Sequence, residues 1–270
     1  MNKVALITGA SAGMGKETAK LLAQKGYKIY GAARRLEKMQ ELMKHGIIPI
    51  ALDVTKDESV VACVNQIFEE SGRIDILVNN AGFGSYGAIE DVSMVDAHYQ
   101  LEVNLYGAAR LIQLVLPKMR ANGFGKIVNI SSVGGRVAGP MGGWYHTSKF
   151  ALEGLSDSLR NEVKQFGIDV VVIRPGATKT EWGDIAFVSL LKTSSNTAYK
   201  ELAHKTHRSF TAMGKNAVEV RKVANVIVKS IEARHPRTRY ACDSAGRLIL
   251  LLRKILSDKQ LDRLYMNQIK

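Results

Sequence analysis

Short apolar runs alternate with stretches of helical periodicity along most of the chain. Residues 4–8, 27–33, 47–52, 74–78, 126–130 and 168–173 are strand-like. They are rich in β-branched residues and apolar on both faces, the pattern of strands covered by helices on either side of a parallel sheet. Residues 16–25, 36–45, 57–71, 95–120, 145–166 and 217–233 carry helical spacing, and a last strand-like run lies near Tyr240. This alternation predicts an α/β fold: a single doubly wound parallel sheet flanked by helices, with right-handed crossovers. Its ligand crevice is expected at the carboxyl ends of the strands.

Two segments break the alternation. Residues 178–215 are rich in Ser, Thr and small residues and follow a strand end. They are expected to form an irregular lid or binding loop over the crevice. Residues 243–270 read as a C-terminal extension of one or two short helices with a leucine-rich face. Within it, residues 248–256 place apolar side chains on nearly every side of a helix, which predicts burial beside the crevice or against the sheet. Nine helical residues reach only about 13.5 Å against about 30 Å of hydrocarbon, so the run cannot span a bilayer. Arg247, Arg253, Lys254, Lys259 and Arg263 leave peripheral contact with an anionic membrane as the other reading. No linker or repeat divides the chain, and residues 1–270 are expected to form one domain.

Composition narrows this little. With 46% apolar and 23% charged residues in 270, the chain is neither disordered nor collagen-like. Its two cysteines, Cys63 and Cys242, exclude a disulfide scaffold and are read as inert packing thiols in a reducing cytoplasm. The first apolar run is too short for a signal peptide. The net charge of +13 is uneven: residues 200–270 hold 16 Lys and Arg against 6 Asp and Glu. We read this as solvated basic helix faces rather than a nucleic-acid surface, because no zinc-ligand set or aromatic RNA-binding run accompanies it. His204 and His207 are three apart but lack a third ligand at suitable spacing, so they are read as solvated loop histidines and no metal is expected.

The chemistry begins after the first strand, in Thr8-Gly9-Ala10-Ser11-Ala12-Gly13-Met14-Gly15, where a helix opens. Glycines permit a tight turn and close approach of backbone to a pyrophosphate, and the helix N-terminus offers free N–H groups to it. At the end of the second strand, where an NAD site usually carries an acid, stand Arg34 and Arg35. Two guanidiniums there suit a ribose 2′-phosphate and select NADP(H). Further on, Tyr145 and Lys149 are four apart in a helical stretch and share a face. An ammonium near a phenol favours the phenolate and lowers its pKa. Ser132 lies at the end of the preceding strand and can point at the same crevice.

Together these motifs make the chain resemble the short-chain dehydrogenase/reductase family over residues 2–240. The matches are residues 8–15, Asp53-Val54, Asn79-Asn80-Ala81-Gly82, Asn104, Ser132, Tyr145-His146-Thr147-Ser148-Lys149, and Pro175-Gly176 with Thr178 and Thr180. Met14 stands where Ile or Leu is commoner, and Thr147 where Ala is. The resemblance implies a Rossmann fold and a hydride transfer between NADP(H) and a carbonyl or secondary alcohol. It implies that Tyr145 exchanges the proton, that Ser132 orients the substrate oxygen, and that Lys149 holds the nicotinamide ribose and lowers the Tyr145 pKa. Asn104 would hold a water linking Lys149 to solvent. Gly9, Ser11, Gly13, Met14 and Gly15 would cradle the pyrophosphate, and Asp53 and Val54 would flank the adenine. Asn79 would lie near the cofactor ribose. Asn80, Ala81, Gly82, Pro175, Gly176, Thr178 and Thr180 complete the implied cofactor site.

Trp182 and Phe187, in the expected lid, are the leading candidates for apolar substrate contact. Trp144 reads equally as pocket lining or core. Steroid- or retinol-like substrates and a broad range of carbonyls both remain open, as does the rival reading of a non-catalytic NADP(H)-sensing regulator. The latter is disfavoured because Asn104, Ser132, Tyr145 and Lys149 are all present. The long stretches 95–120 and 145–166 imply, by resemblance, a homodimer or homotetramer.

Overall fold

The computed structural model describes residues 2–269. Seven strands form one parallel sheet: β1 (Val4–Thr8), β2 (Lys28–Ala33), β3 (Ile47–Ala51), β4 (Ile76–Asn79), β5 (Gly125–Ile130), β6 (Ile168–Arg174) and β7 (Arg239–Ala241). Their order is β3-β2-β1-β4-β5-β6-β7. Pro49, which cannot donate to a ladder, sits in the edge strand β3. The chain leaves β1 toward β2 on one side and returns to β4 on the other. The carboxyl ends of β1 and β4 therefore form the switch point at which such sheets bind ligands.

The expected two-faced burial is observed. Ala5 and Ile7 join one core with α1 (Gly13–Gln24) and α8 (Val220–Glu232), through Ala19, Leu22, Val223, Ile227 and Ile231. Val4 and Leu6, on the alternate face, join the other with α2 (Asp57–Ser71), α4 (Gly107–Ala121) and α5 (Gly143–Val163), through Val64, Ile67, Leu111, Val115 and Leu159. Each fully buried aliphatic side chain contributes about 1.5–3 kcal/mol, and these two layers fix the strand ends that carry the site.

Four expectations change. Residues 95–120 are not one regular helix. α3 (Met94–Leu101) passes into α4 through a π-helical turn, Glu102–Tyr106. Such a turn adds a residue to the helical repeat and re-aims its side chains, commonly at functional sites. Residues 178–215 are not an irregular loop. They contain α6 (Glu181–Ser194) and α7 (Lys200–Lys215). Thr180 caps α6 by accepting from the Trp182 N–H, and Ala186, Leu190, Ala203 and Thr206 are buried between these helices and the sheet domain's loops. His204 and His207 therefore lie on a helix, and His207 meets the Phe187 ring edge-on at 5.9 Å.

The last change concerns the C-terminal extension, which forms α9 (Ser244–Ile255) and α10 (Asp258–Gln268). The start of α9 lies near the crevice: a Cβ at Gly246 would come 2.9 Å from Val133, in the turn that follows Ser132. The apolar run is not buried all round, however. Leu248, Leu251 and Ile255 are 57%, 53% and 68% exposed, because one side only of α9 meets protein. Among the described residues, no helix is long and apolar enough to cross a membrane.

Candidate active site

The carboxyl ends of β1 and β4 are laced together by Thr8 and Asn80. Thr8 Oγ1 accepts the N–H groups of Asn80 (3.0 Å) and Ala81 (2.9 Å), and Asn80 Nδ2 donates to the Thr8 carbonyl at 2.9 Å. Above them the glycine loop turns through two left-handed residues, Gly9 (φ 66°) and Gly13 (φ 54°). A Cβ on Gly15 would lie 2.5 Å from both the Gly9 carbonyl oxygen and Asn80 Nδ2, so only hydrogen fits there. Ala12 stands at the N-cap of α1 and supplies no capping oxygen. The first N–H groups of the helix are thus open to an anion. A cleft of about 620 Å³ borders this terminus, lined by Ser11, Gly13, Lys16, Lys38, Thr180 and Glu181 among others. An uncapped helix terminus behind side-chain-free glycines fits the pyrophosphate of a dinucleotide.

The two arginines after β2 point apart. Arg34 donates from Nη1 to the Tyr99 hydroxyl at 2.9 Å and lies near Asp53. Burial raises the Asp53 pKa, but hydrogen bonds from Thr55 and the Arg34 charge outweigh it and hold the carboxyl below its ordinary range. Asp53 Oδ1 accepts from the backbone and hydroxyl of Thr55, and Val54 is buried against Gly107. Arg35 instead donates from Nη2 to Ser11 Oγ at 3.2 Å and also pairs with Glu181. Of the two, Arg35 is the guanidinium at the phosphate loop.

On α5, Tyr145 and Lys149 are both buried. Burial pushes the Tyr145 phenol up to about 12, with a hydrogen bond from Ser132 acting in the opposite direction. Burial also pulls the Lys149 ammonium down to about 8. The expectation that Lys149 would lower the Tyr145 pKa is thus not met in this arrangement. Desolvation dominates both groups, and Lys149 Nζ donates to the Ile130 carbonyl at 2.9 Å. Ser132 Oγ accepts the Gly134 N–H at 2.9 Å, which fixes the hydroxyl at the start of the 3₁₀ turn Val133–Gly135.

Asn104, in the π-turn, is buried and fully engaged. Nδ2 donates to the Phe83 carbonyl (2.9 Å) and to Ser148 Oγ (3.0 Å), and Oδ1 accepts the Phe83 N–H at 3.0 Å. A Cβ on Gly82 would come 3.1 Å from Asn104 Oδ1 and 3.5 Å from Lys149 Nζ, so both groups converge on Gly82. Asn79 lies below the site rather than on its surface: it is buried and donates from Nδ2 to Asn129 Oδ1 at 2.9 Å. On the far wall, the Pro175 carbonyl accepts the Val133 N–H, and Thr178 Oγ1 donates to the Gly176 carbonyl. Thr180 packs beside Gly13, to which an added Cβ would bring it within 3.2 Å.

Several residues at the site escaped the sequence reading. Tyr86 lies 5.6 Å from Tyr145 with its ring tilted by 32°, and Phe210 meets Tyr86 edge-on at 5.5 Å. Trp182, expected to contact an apolar substrate, lies 5.1 Å from the Tyr145 ring, and Phe187 stacks on Phe210. His146 accepts the Gly139 N–H at Nε2 (3.1 Å), and its Nδ1 lies 2.9 Å from the Gly134 carbonyl, bracing the loop beyond Ser132. Asp243, buried at the start of α9, accepts the N–H groups of Gly176 (3.1 Å) and Gly246 (2.6 Å). The glycines around Tyr86 and the apolar residues at helical spacing from Trp182 to Leu190 were the available signals.

The arrangement presents a phenol and a hydroxyl to one point, an ammonium one turn away, an apolar aromatic wall and an anion cradle. It can bind a dinucleotide and exchange a proton with an oxygen atom held at Tyr145.

Comparison with known proteins agrees. A family model described as short chain dehydrogenase matches residues 3–186. The chain is 37% identical over 234 residues to a 3-ketodihydrosphingosine reductase of Bacteroides thetaiotaomicron, covering 87% of this chain and 85% of that protein. It is 29% identical over 282 residues to an NADPH-dependent 3-dehydrocapnine reductase of Ornithobacterium rhinotracheale, covering 99% and 98%. Among solved structures, a short-chain dehydrogenase from Streptomyces avermitilis superposes with a TM-score of 0.82 at 30% identity, covering 97% of this chain and 98% of that one.

Proposed function

The chain belongs to the short-chain dehydrogenase family, and from that premise we propose that it is an NADPH-dependent reductase of a ketone carried on an apolar chain. The observation that carries this is the convergence of Tyr145 and Ser132 beneath an aromatic wall, with Lys149 on the same helix. The nicotinamide supplies the hydride when bound. Tyr145 gives its phenolic proton to the carbonyl oxygen, and its high pKa keeps that proton in place at neutral pH. Ser132 donates a hydrogen bond to the same oxygen and stabilises the negative charge that grows there. Lys149 keeps a positive charge near the reacting groups. Asn104 holds the Phe83 backbone and α5 in register.

The choice of NADPH is supported by Arg35 beside Ser11, a guanidinium that can fork onto a 2′-phosphate. A relative named as NADPH-dependent supports it. Tyr86, Trp182, Phe187 and Phe210 support an apolar substrate, and two relatives are named for reducing 3-keto or 3-dehydro compounds. This narrows the steroid-like and broad-carbonyl readings toward a ketone on a flexible chain. The sensing role has no observation in its favour.

The test is turnover of a panel of ketones, from short to long-chain, followed by nicotinamide absorbance with NADPH and with NADH. The proposal requires faster turnover with NADPH, preference for the longer chains, and loss of turnover with retained cofactor binding in Tyr145→Phe. Equal use of both cofactors, or full activity in Tyr145→Phe, refutes it.

A further inference from the structure

α9 carries an exposed stripe with a charged border. Leu248, Leu251 and Ile255 are spaced by three and four residues, so they fall within an arc of about 60° on one side of the helix. All three are more than half exposed. Arg247 and Lys254, also exposed, are seven residues apart and share one row, about 40–60° round the helix from Leu251. α9 contains no acidic residue. Among the described residues, neither Arg247 nor Lys254 has a carboxylate within ion-pair reach, whereas Arg253 pairs with Asp258. The first residues of the tail, by contrast, are firmly held: Asp243 ties the start of α9 to Gly176.

We propose that α9 docks on an anionic lipid surface, with Leu248, Leu251 and Ile255 entering the acyl boundary and Arg247 and Lys254 meeting the headgroups. An apolar stripe bordered by cations, on a helix too short to span, is the composition of an interfacial helix. Charge selects this occupant over a second copy of the chain. A symmetric contact through the stripe would bring two cationic rows together, whereas an anionic surface is complementary to them. Each cation held at such a surface multiplies binding about five-fold, an effect that salt screens. The surrounding chain adds to the attraction, since residues 200–270 carry ten more cations than acids. The opposite side of α9, at Gly246, packs on the turn after Ser132. Docking through the stripe therefore leaves that turn about one helix diameter, roughly 10 Å, from the lipid.

The experiment is co-sedimentation of the full chain with vesicles of phosphatidylcholine alone and of phosphatidylcholine mixed with phosphatidylglycerol, at low and high salt. The wild-type protein should bind the anionic vesicles and be released by salt. The triple variant Leu248→Ser, Leu251→Ser, Ile255→Ser should lose at least ten-fold in binding, and Arg247→Glu with Lys254→Glu should lose a similar factor. Turnover of a short soluble ketone should stay unchanged in both variants, which separates failure of docking from failure of the reductase assignment. Absence of vesicle binding, or binding indifferent to both sets of substitutions, overturns the proposal. A concentration-dependent larger assembly that the triple variant abolishes, without vesicle binding, assigns the stripe to a second copy instead.

Discussion

Glu181 Oε2 stands 3.3 Å from Arg35 Nη1, and the other oxygen of the same carboxylate lies 3.8 Å from Lys38 Nζ. The first residue of α6 thereby partly offsets two cations beside the phosphate loop, the ones proposed to meet a 2′-phosphate. An exposed pair of this kind is worth about 0–1 kcal/mol. Glu181→Gln should therefore strengthen NADPH binding up to about five-fold, with little change for NADH. Arg35→Ala should weaken NADPH by about 1.5–3 kcal/mol, roughly 10- to 150-fold, as a charge-assisted bond to phosphate is lost. Fluorescence titration with each cofactor checks both, and an unchanged preference in Arg35→Ala would return the assignment to Arg34.

The pH profile should follow Lys149. Its folded pKa, pulled from 10.5 to about 8 by burial, means that the ammonium is present below about pH 8 and lost above it. Tyr145, pushed up to about 12, keeps its proton throughout that range. For ketone reduction, kcat/KM is expected to fall as pH rises through about 8, and Lys149→Arg should move the fall to higher pH. A profile that stays flat through this window would separate the rate from the charge on Lys149.

A buried ion cluster holds α5 in place. Glu153 receives Arg174 through both oxygens (Nε at 2.6 Å) and also Arg239 at 3.1 Å, while Arg239 reaches Asp157 as well. Removing one partner of such a cluster leaves buried charge uncompensated and costs about 3–5 kcal/mol. Glu153→Ala should show that loss in urea unfolding. Glu162→Ala, on the exposed part of the same helix, should lie within about 0.5 kcal/mol of wild type.

Trp182 covers Tyr145 and Tyr86. Aromatic contacts of this geometry contribute about 0.5–1.5 kcal/mol each. If the indole also grips the substrate equally before and during reaction, Trp182→Ala should raise KM for long-chain ketones and leave kcat nearly unchanged. Steady-state kinetics over a chain-length series distinguishes this from a loss of kcat, which would assign Trp182 to the reacting geometry.

The strands and the glycine loop were legible in the sequence because each is dictated locally. Strands buried on both faces must read as unbroken apolar runs, and Gly15 must be glycine because a Cβ would strike the Gly9 carbonyl six residues earlier. What stayed hidden depends on contacts between distant residues. In α6 the Ser and Thr content masked a helical stripe, Trp182, Ala186, Phe187 and Leu190. Nothing local distinguishes Arg34 from Arg35, whose partners Tyr99 and Ser11 lie 65 and 24 residues away. The leucines of α9 looked buried because periodicity reports which sides are apolar, whereas exposure depends on what the remaining fold brings against them.

The carboxylate of Asp243 bridges a backbone N–H in the loop after β6 and another in the first turn of α9. One carboxylate therefore joins the two segments, and thermodynamic linkage makes any coupling carried through it reciprocal. If Asp243 moves with Gly176, a ligand that draws Gly176 into a new position would change the affinity of α9 for whatever it touches. A surface that captures α9 would then change the affinity for that ligand by the same factor. Measuring cofactor affinity with the tail free and with the tail engaged would read that coupling directly.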